Sequence, residues 1–173
     1  MRTFAILPAL LALTLSGCGY HTLGSAAHLP PDAKTLAIPV FGTHTETYHT
    51  ETVLTQAVIR EFAARTRLRV TPVLSDDADV VLYGNVLKEY LAPLTYNAST
   101  QQSSSFVITV IASVRLVDRS GKVLYENKNY VYREQYQSTS DLPTFLQEDP
   151  AAFERLGRSF AHAVVTDVLA GMD

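Results

Sequence analysis

The chain has 173 residues, with 14 Lys or Arg against 17 Asp or Glu, and a formal net charge of −3 at pH 7. That length suits one domain with a genuine core, and the mildly acidic balance lacks the basic footprint of a nucleic-acid-binding protein. Cys18 is the only cysteine, which leaves no partner for an intrachain disulfide and no multi-thiolate metal site.

In chain order, a cationic start (Met1-Arg2) precedes an apolar run from Phe4 to Leu15, broken only by Pro8 and Thr14, and ends in Leu15-Ser16-Gly17-Cys18. A basic n-region, a short apolar h-region and small residues at a cleavage site describe an export signal over residues 1–17. Leu-Ser-Gly-Cys resembles the bacterial lipobox. The resemblance implies acylation of the Cys18 sulfur (palmitate-type chains), cleavage just before it and acylation of the new amino terminus. The run is too short for a transmembrane helix, which needs about 20 apolar residues, so the expected mature chain is anchored to a membrane without spanning it. Gly19 stands where an Asp often marks inner-membrane retention of bacterial lipoproteins, which points to the outer membrane.

Residues 18–34, rich in Gly, Ser and Pro, read as a lipidated tether, and residues 35–173 as the folded domain. Thr35 to Phe41 reads as a first strand, placed at an edge or bulged because Pro39 cannot donate to a ladder. Thr47 to Arg65 has helical spacing, with Leu54, Ala57, Val58 and Phe62 on one face. A short extended stretch (68–74) and a turn at Ser75-Asp76-Asp77 lead to a strand over 79–91. Thr95 to Ser105, small and polar, reads as an exposed loop. Phe106 to Val117 is the strongest strand pattern, with Phe106, Ile108, Val110, Ala112, Val114 and Leu116 on one face. Asp118 to Lys122 is a hairpin signal, Val123 to Gln137 a tyrosine-rich strand, and 138–150 a loop with two prolines. Ala151 to Leu169 carries the stripe Phe153, Leu156, Phe160, Val164, Val168 of a second helix.

The order β-α-β-β-β-α, with one apolar stripe per helix, predicts an α+β two-layer sandwich. Two helices pack on one face of a four-stranded, mainly antiparallel sheet, with Phe160 and Val110 in the core. The opposite sheet face should be polar in a free monomer, yet it holds Val107, Ile111 and Val117, which makes it a candidate partner face. The hairpin strands and their turn carry Arg115, Lys122, Lys128 and Arg133, cations able to meet lipid phosphates if hairpin pairing brings them together.

The residues that catalysis would need are not arranged for it. His44, Glu46 and His49 lack the His-Glu-x-x-His spacing and read as a solvated loop, no Gly-x-Ser-x-Gly elbow occurs, and no glycine loop suits a phosphate or dinucleotide. Asp76, Asp77 and Asp79 fit a turn better than a calcium loop. No catalytic residue, metal or cofactor is expected.

Several segments in order resemble the LptE family of lipopolysaccharide-assembly lipoproteins: Cys-Gly-Tyr-His-Thr-Leu-Gly (18–24), Leu-Ala-Ile-Pro-Val-Phe (36–41), Leu-Thr-Gln-Ala-Val-Ile-Arg-Glu-Phe (54–62), Asp-Ala-Asp-Val-Val-Leu-Tyr-Gly-Asn-Val (77–86) and Val-Arg-Leu-Val-Asp-Arg-Ser-Gly-Lys-Val-Leu-Tyr-Glu-Asn (114–127). The resemblance implies a periplasm-facing lipoprotein of the Gram-negative outer membrane. Such a protein has no catalytic residues, plugs an LptD-type β-barrel and serves lipopolysaccharide transport to the cell surface. An alternative is an envelope lipoprotein that activates a peptidoglycan synthase. The tether of about 16 residues, at most ~55 Å extended, favours work close to the membrane.

Overall fold

The computed structural model describes residues 28–45, 49–97, 102–137 and 142–170. Its elements are β1 (Thr35–Ala37), β2 (Gly42–Thr43), α1 (Thr50–Arg65), β3 (Arg69–Thr71), β4 (Val80–Asn97), β5 (Gln102–Asp118), β6 (Val123–Gln137) and α2 (Leu142–Ala170). The α+β sandwich is as expected, with both helices on one face, but the sheet is larger and more mixed. Six strands are present among the described residues, in the order β3-β1-β4-β5-β6, with β2 also paired to β4. β1 runs parallel to β3 and β4, and β4, β5 and β6 are antiparallel.

Pro39 ends β1 instead of marking an edge: β1 lies between β3 and β4, and the chain resumes pairing only at Gly42. In the gap Phe41 turns inward, its N–H donating to Thr55 Oγ1 at 3.0 Å. The Phe41 ring lies over Gly84, where a Cβ would stand 2.5 Å from ring carbons, so glycine makes room for an aromatic layer that continues to Phe160. The stretch at 68–74 contributes β3, which joins the sheet because Thr35, Leu36 and Ala37 pair with Arg69, Val70 and Thr71.

Two segments expected to be loops are regular. Thr95–Asn97 and Gln102–Ser105 extend the β4–β5 hairpin, since small hydroxyl side chains pair across strands as readily as they solvate a loop; the Thr95 and Ser105 hydroxyls are 2.7 Å apart. Residues 98–101 of that expected loop lie outside the described residues. α2 starts at Leu142, well before Ala151. Pro143 sits in its first turn, where a missing N–H breaks no intrahelical bond, and the helix runs through Pro150 at the cost of one.

The core has the composition that the strand alternation implies. Ile108, Val110, Ala112, Val114 and Leu116 of β5 are buried against Leu54, Val58 and Phe62 of α1 and Leu156, Phe160, Val164 and Val168 of α2. The helices run parallel, with Arg65 donating to Thr166 Oγ1 at 2.8 Å and His162 Nδ1 3.2 Å from Glu61 Oε1. His162 is exposed, as its place beside the stripe implies. Gly121, at φ +85°, closes the β5–β6 turn. Asp118 caps that turn by accepting from the Ser120 and Lys122 N–H groups.

Residues 28–34 pack on the base of the sandwich. The His28 ring lies 5.2 Å from that of Tyr125, and Leu29 packs against the core. Asp79 Oδ2 accepts from Lys34 N, Thr35 N and Thr35 Oγ1 at 2.9, 3.0 and 2.9 Å. Arg119 reaches Asp79 Oδ1 at 3.4 Å and the Asp77 carbonyl at 2.7 Å. These hydrogen bonds hold the Asp79 carboxyl below its ordinary pKa, the Lys34 N–H first among them. A depressed carboxyl pKa contributes stability that is present above the unfolded-state value and is lost as pH falls through the folded-state value. The Lys34 and Thr35 amides should therefore be protected from hydrogen exchange at pH 7. They should lose that protection as the pH is taken below the ordinary carboxylate range, after correction for intrinsic rates, while helix-core amides keep theirs. Equal protection at both pH values would detach the strap from Asp79.

Candidate functional site: the open face of the sheet

Register defines the face that the helices leave uncovered. Directly opposed residues across β4, β5 and β6 form the rows Ala92–Val107–Gln135, Tyr90–Thr109–Arg133, Lys88–Ile111–Val131, Tyr83–Arg115–Glu126 and Val81–Val117–Val123. Val107, Ile111 and Val117 do share this face. They differ in access: Val107 and Ile111 are half-buried, whereas Val117 is 9% exposed. Val117 belongs to a small second cluster with Ala37, Ala78 and Val81, so it is not free for a partner.

The four candidate cations do not form one group. Arg115 lies over the Tyr83 ring at 5.8 Å and opposite Glu126. Lys128 pairs with Glu126 at 3.5 Å, and Lys122 is exposed in the turn. Arg133 is opposite Thr109, six residues along β5 from Arg115, which is about 20 Å at strand rise. The hairpin register thus keeps Arg133 apart from the others.

Arg133 has a different neighbour, Lys88, which the sequence reading did not single out. In unbroken alternation Lys88 would share the core face of Val80, Leu82, Gly84 and Val86. A β-bulge between Val86 and Lys88 inserts one residue and inverts the parity. Lys88 is thereby delivered to the open face, in the row beside Arg133. Glu89 turns to the helix side, where its carboxylate accepts from Thr50 Oγ1 at 2.7 Å at the start of α1. Burial there raises the Glu89 pKa, with Glu51 adding to the effect against the Thr50 bond. The charged residue inside a hydrophobic run was the available signal for the bulge.

The upper half of the open face therefore combines Ile111, Val131, Tyr90 and Val107 with the cations Lys88 and Arg133, and no carboxylate stands in its three rows. Val131 is 38% and Tyr90 51% exposed. Such a surface can bury apolar area and hold anions at its sides.

The other polar cluster is internal. The Tyr125 and Tyr130 hydroxyls are 2.5 Å apart, and Tyr130 Oη donates to Asp167 Oδ2 at 2.6 Å, tying β6 to α2. Burial, then the Asp167 contact, pushes the Tyr130 hydroxyl far above its ordinary pKa, which suits a structural donor. His44 and His49 are exposed, Glu46 lies outside the described residues, and no group of three or more metal-ligating side chains occurs among the described residues. Cys18 also lies outside them.

A two-layer sandwich with helices on one face and an open, semi-apolar face on the other defines an α+β domain. Within that class, the model of the lipopolysaccharide-assembly family LptE matches residues 33–168, and the chain belongs to that family. The fold is similar to that of a putative lipoprotein from Caulobacter crescentus, at 17% identity and TM-score 0.51 over 77% of this chain and 92% of that one. It is also similar to the solution structure of an uncharacterized lipoprotein B from Nitrosomonas europaea, at 13% identity and TM-score 0.57 over 85% and 88%. No curated protein matches the sequence.

Proposed function

We propose that this lipopolysaccharide-assembly lipoprotein is a non-enzymatic subunit, anchored through acylated Cys18 to the periplasmic side of the outer membrane. It plugs an LptD-type β-barrel through which lipopolysaccharide reaches the cell surface. The observation that carries this reading is the open face: an apolar strip on a rigid three-stranded floor, flanked by Lys88 and Arg133, with helices confined to the other side. Tyr90, Ile111 and Val131 suit contact with a barrel wall, and the two cations suit carboxylates there or lipid phosphates. Arg115, Lys122 and Lys128 are proposed as secondary phosphate contacts nearer the β5–β6 turn.

Affinity purification from detergent-solubilised outer membranes tests the proposal. A large β-barrel should be recovered in equal amount, with lipopolysaccharide in the same eluate. Ile111→Lys combined with Val131→Lys should lower barrel recovery at least tenfold while the far-UV spectrum stays that of the parent. Full recovery with a folded double variant would show that the open face is not the interface, and absence of any barrel with the parent chain would overturn the reading itself.

A further inference from the structure

A strand at the border of a sheet shows a row of unpaired N–H and C=O groups, and folded proteins blunt such borders with short strands, prolines, bulges and lysines. Most of the border of this sheet is blunted in that way. β3 has three residues. β4, beyond its last pair with β2 at Val86, carries Pro93 and register shifts on both sides of Thr95. The half of β6 nearest the β5–β6 turn is bulged: register shifts between Ala112 and Val114 and between Leu116 and Val117 insert a residue at Lys128–Asn129 and at Leu124. There Asn127 Oδ1 accepts from the Asn129 N–H at 2.9 Å, and Lys128 is exposed beside its partner Glu126.

The other half of β6 has none of these devices. From Tyr130 to Gln137 it pairs residue for residue with β5, from Ala112 to Ser105, without a bulge or a proline. No strand lies on its far side among the described residues. In an antiparallel border strand every second residue turns both its N–H and its C=O outward, so this stretch is a regular template for a further strand. Its open-face side chains Val131, Arg133 and Gln135 are all exposed. The row of Arg133 and the rows on either side hold no carboxylate. On the helix side Glu134 is already matched by Arg155. The border is thus cationic, and a strand laid beside it would meet Arg133 with one side chain and Val131 with the side chain two residues along.

We propose that Tyr130–Gln135 is a strand-addition site for the protein partner. An extended segment with a carboxylate two residues from an apolar side chain pairs with the free edge of β6, the carboxylate against Arg133 and the apolar group against Val131. Main-chain hydrogen bonds supply the affinity, and the two side-chain contacts the specificity. The inference rests on the proposed barrel partnership and deepens it by naming what the partner contributes. A closed barrel wall has no unpaired strand, so the segment is a loop or terminal arm of that partner. The added strand continues the open face, so the apolar strip and its cations run on into the contact. A second copy of this chain fits the edge poorly. Antiparallel pairing of two such stretches sets Arg133 opposite or diagonal to its own counterpart, and like charges so placed are destabilising.

Hydrogen exchange in the purified complex of the full, acylated chain with its barrel tests this, resolved to single amides by fragmentation mass spectrometry. Relative to the chain alone in the same detergent, alternate amides within Tyr130–Gln135 should exchange about tenfold more slowly, while those of Asn127 to Asn129 keep their rates. A photoreactive side chain at Gln135 should crosslink to one barrel segment that carries an Asp or Glu two residues from an apolar residue. Arg133→Glu should lower barrel recovery several-fold while the far-UV spectrum stays that of the parent, and Arg133→Lys should retain it. Unchanged exchange over Tyr130–Gln135 in a complex that still co-purifies overturns the site, whatever the variants do. Crosslinks from Gln135 to a second copy of this chain overturn it as well, and so does full recovery with a folded Arg133→Glu variant. These outcomes leave the barrel partnership standing. A parent chain that purifies with no barrel overturns the functional reading and this inference with it.

Discussion

Replacing Phe160 by Ala should lower the unfolding free energy by ~3–5 kcal/mol. Phe160 is 1% exposed and lies midway along α2. Three rings meet it near a right angle: Phe41 at 6.3 Å, Tyr130 at 5.6 Å and Tyr132 at 5.6 Å. Edge-to-face contacts of this kind add ~0.5–1.5 kcal/mol each beyond area burial. The surrounding walls cannot collapse into the space, because Phe41 is held by its bond to Thr55 and Tyr130 by its bond to Asp167. The cost should therefore fall at the upper end of the range for large-to-small changes. A domain of this size should melt roughly 10–20 °C lower. Urea unfolding would register the change as a lower midpoint at unchanged slope, and Phe160→Leu, which keeps much of the volume, should lose less. A loss below about 1 kcal/mol for Phe160→Ala would remove α2 from the core and with it the helix-on-sheet packing.

The residues of that core were legible in the sequence because two periodicities state them directly. The period of β5 assigns Ile108, Val110, Ala112, Val114 and Leu116 to one face, and the spacing of α2 assigns Leu156, Phe160, Val164 and Val168; all are buried together. Long-range register was harder to read. Nothing local says that Arg133 falls opposite Thr109, or that β1 lies inside the sheet rather than at its edge. Those facts follow from pairing between segments far apart in sequence. The bulge after Val86 is intermediate: it inverts the faces of β4 and so moves Lys88 and Glu89 to opposite sides, and its local sign is a charged pair within an otherwise apolar strand. The polar reach around Thr95 and Ser105 was misread for a physical reason, since Ser and Thr are as suited to a ladder with a polar surface as to a loop. Val117 was read correctly as to face but not as to cover, because its neighbours Ala37 and Ala78 come from segments that only the tertiary fold brings beside it.

Replacing Cys18 by Ser should abolish attachment to the outer membrane while leaving the fold intact. The hydroxyl of serine is a far poorer nucleophile than a thiol and is not a substrate for diacylglyceryl transfer, so the signal over residues 1–17 should stay uncut. The three acyl chains proposed for the parent would give ~0.8 kcal/mol per buried CH₂, whereas one chain alone holds only marginally. The folded part offers no helical substitute: among the described residues no helix is long and apolar enough to cross a membrane. In a density-gradient separation the parent should sediment with outer-membrane markers, and the variant should appear as precursor in the inner-membrane fraction or in soluble form. Mass spectrometry of the parent should find a diacylglyceryl cysteine at its amino terminus. Because no described core residue touches position 18, the first described contact being that of His28 with Tyr125, a soluble form of the variant lacking residues 1–17 should unfold at the same urea midpoint as an otherwise identical chain with Cys18 retained and unacylated. That equality separates loss of anchoring from loss of structure. An outer-membrane location unchanged by Cys18→Ser, or an unmodified terminus at another residue, would refute the lipid anchor.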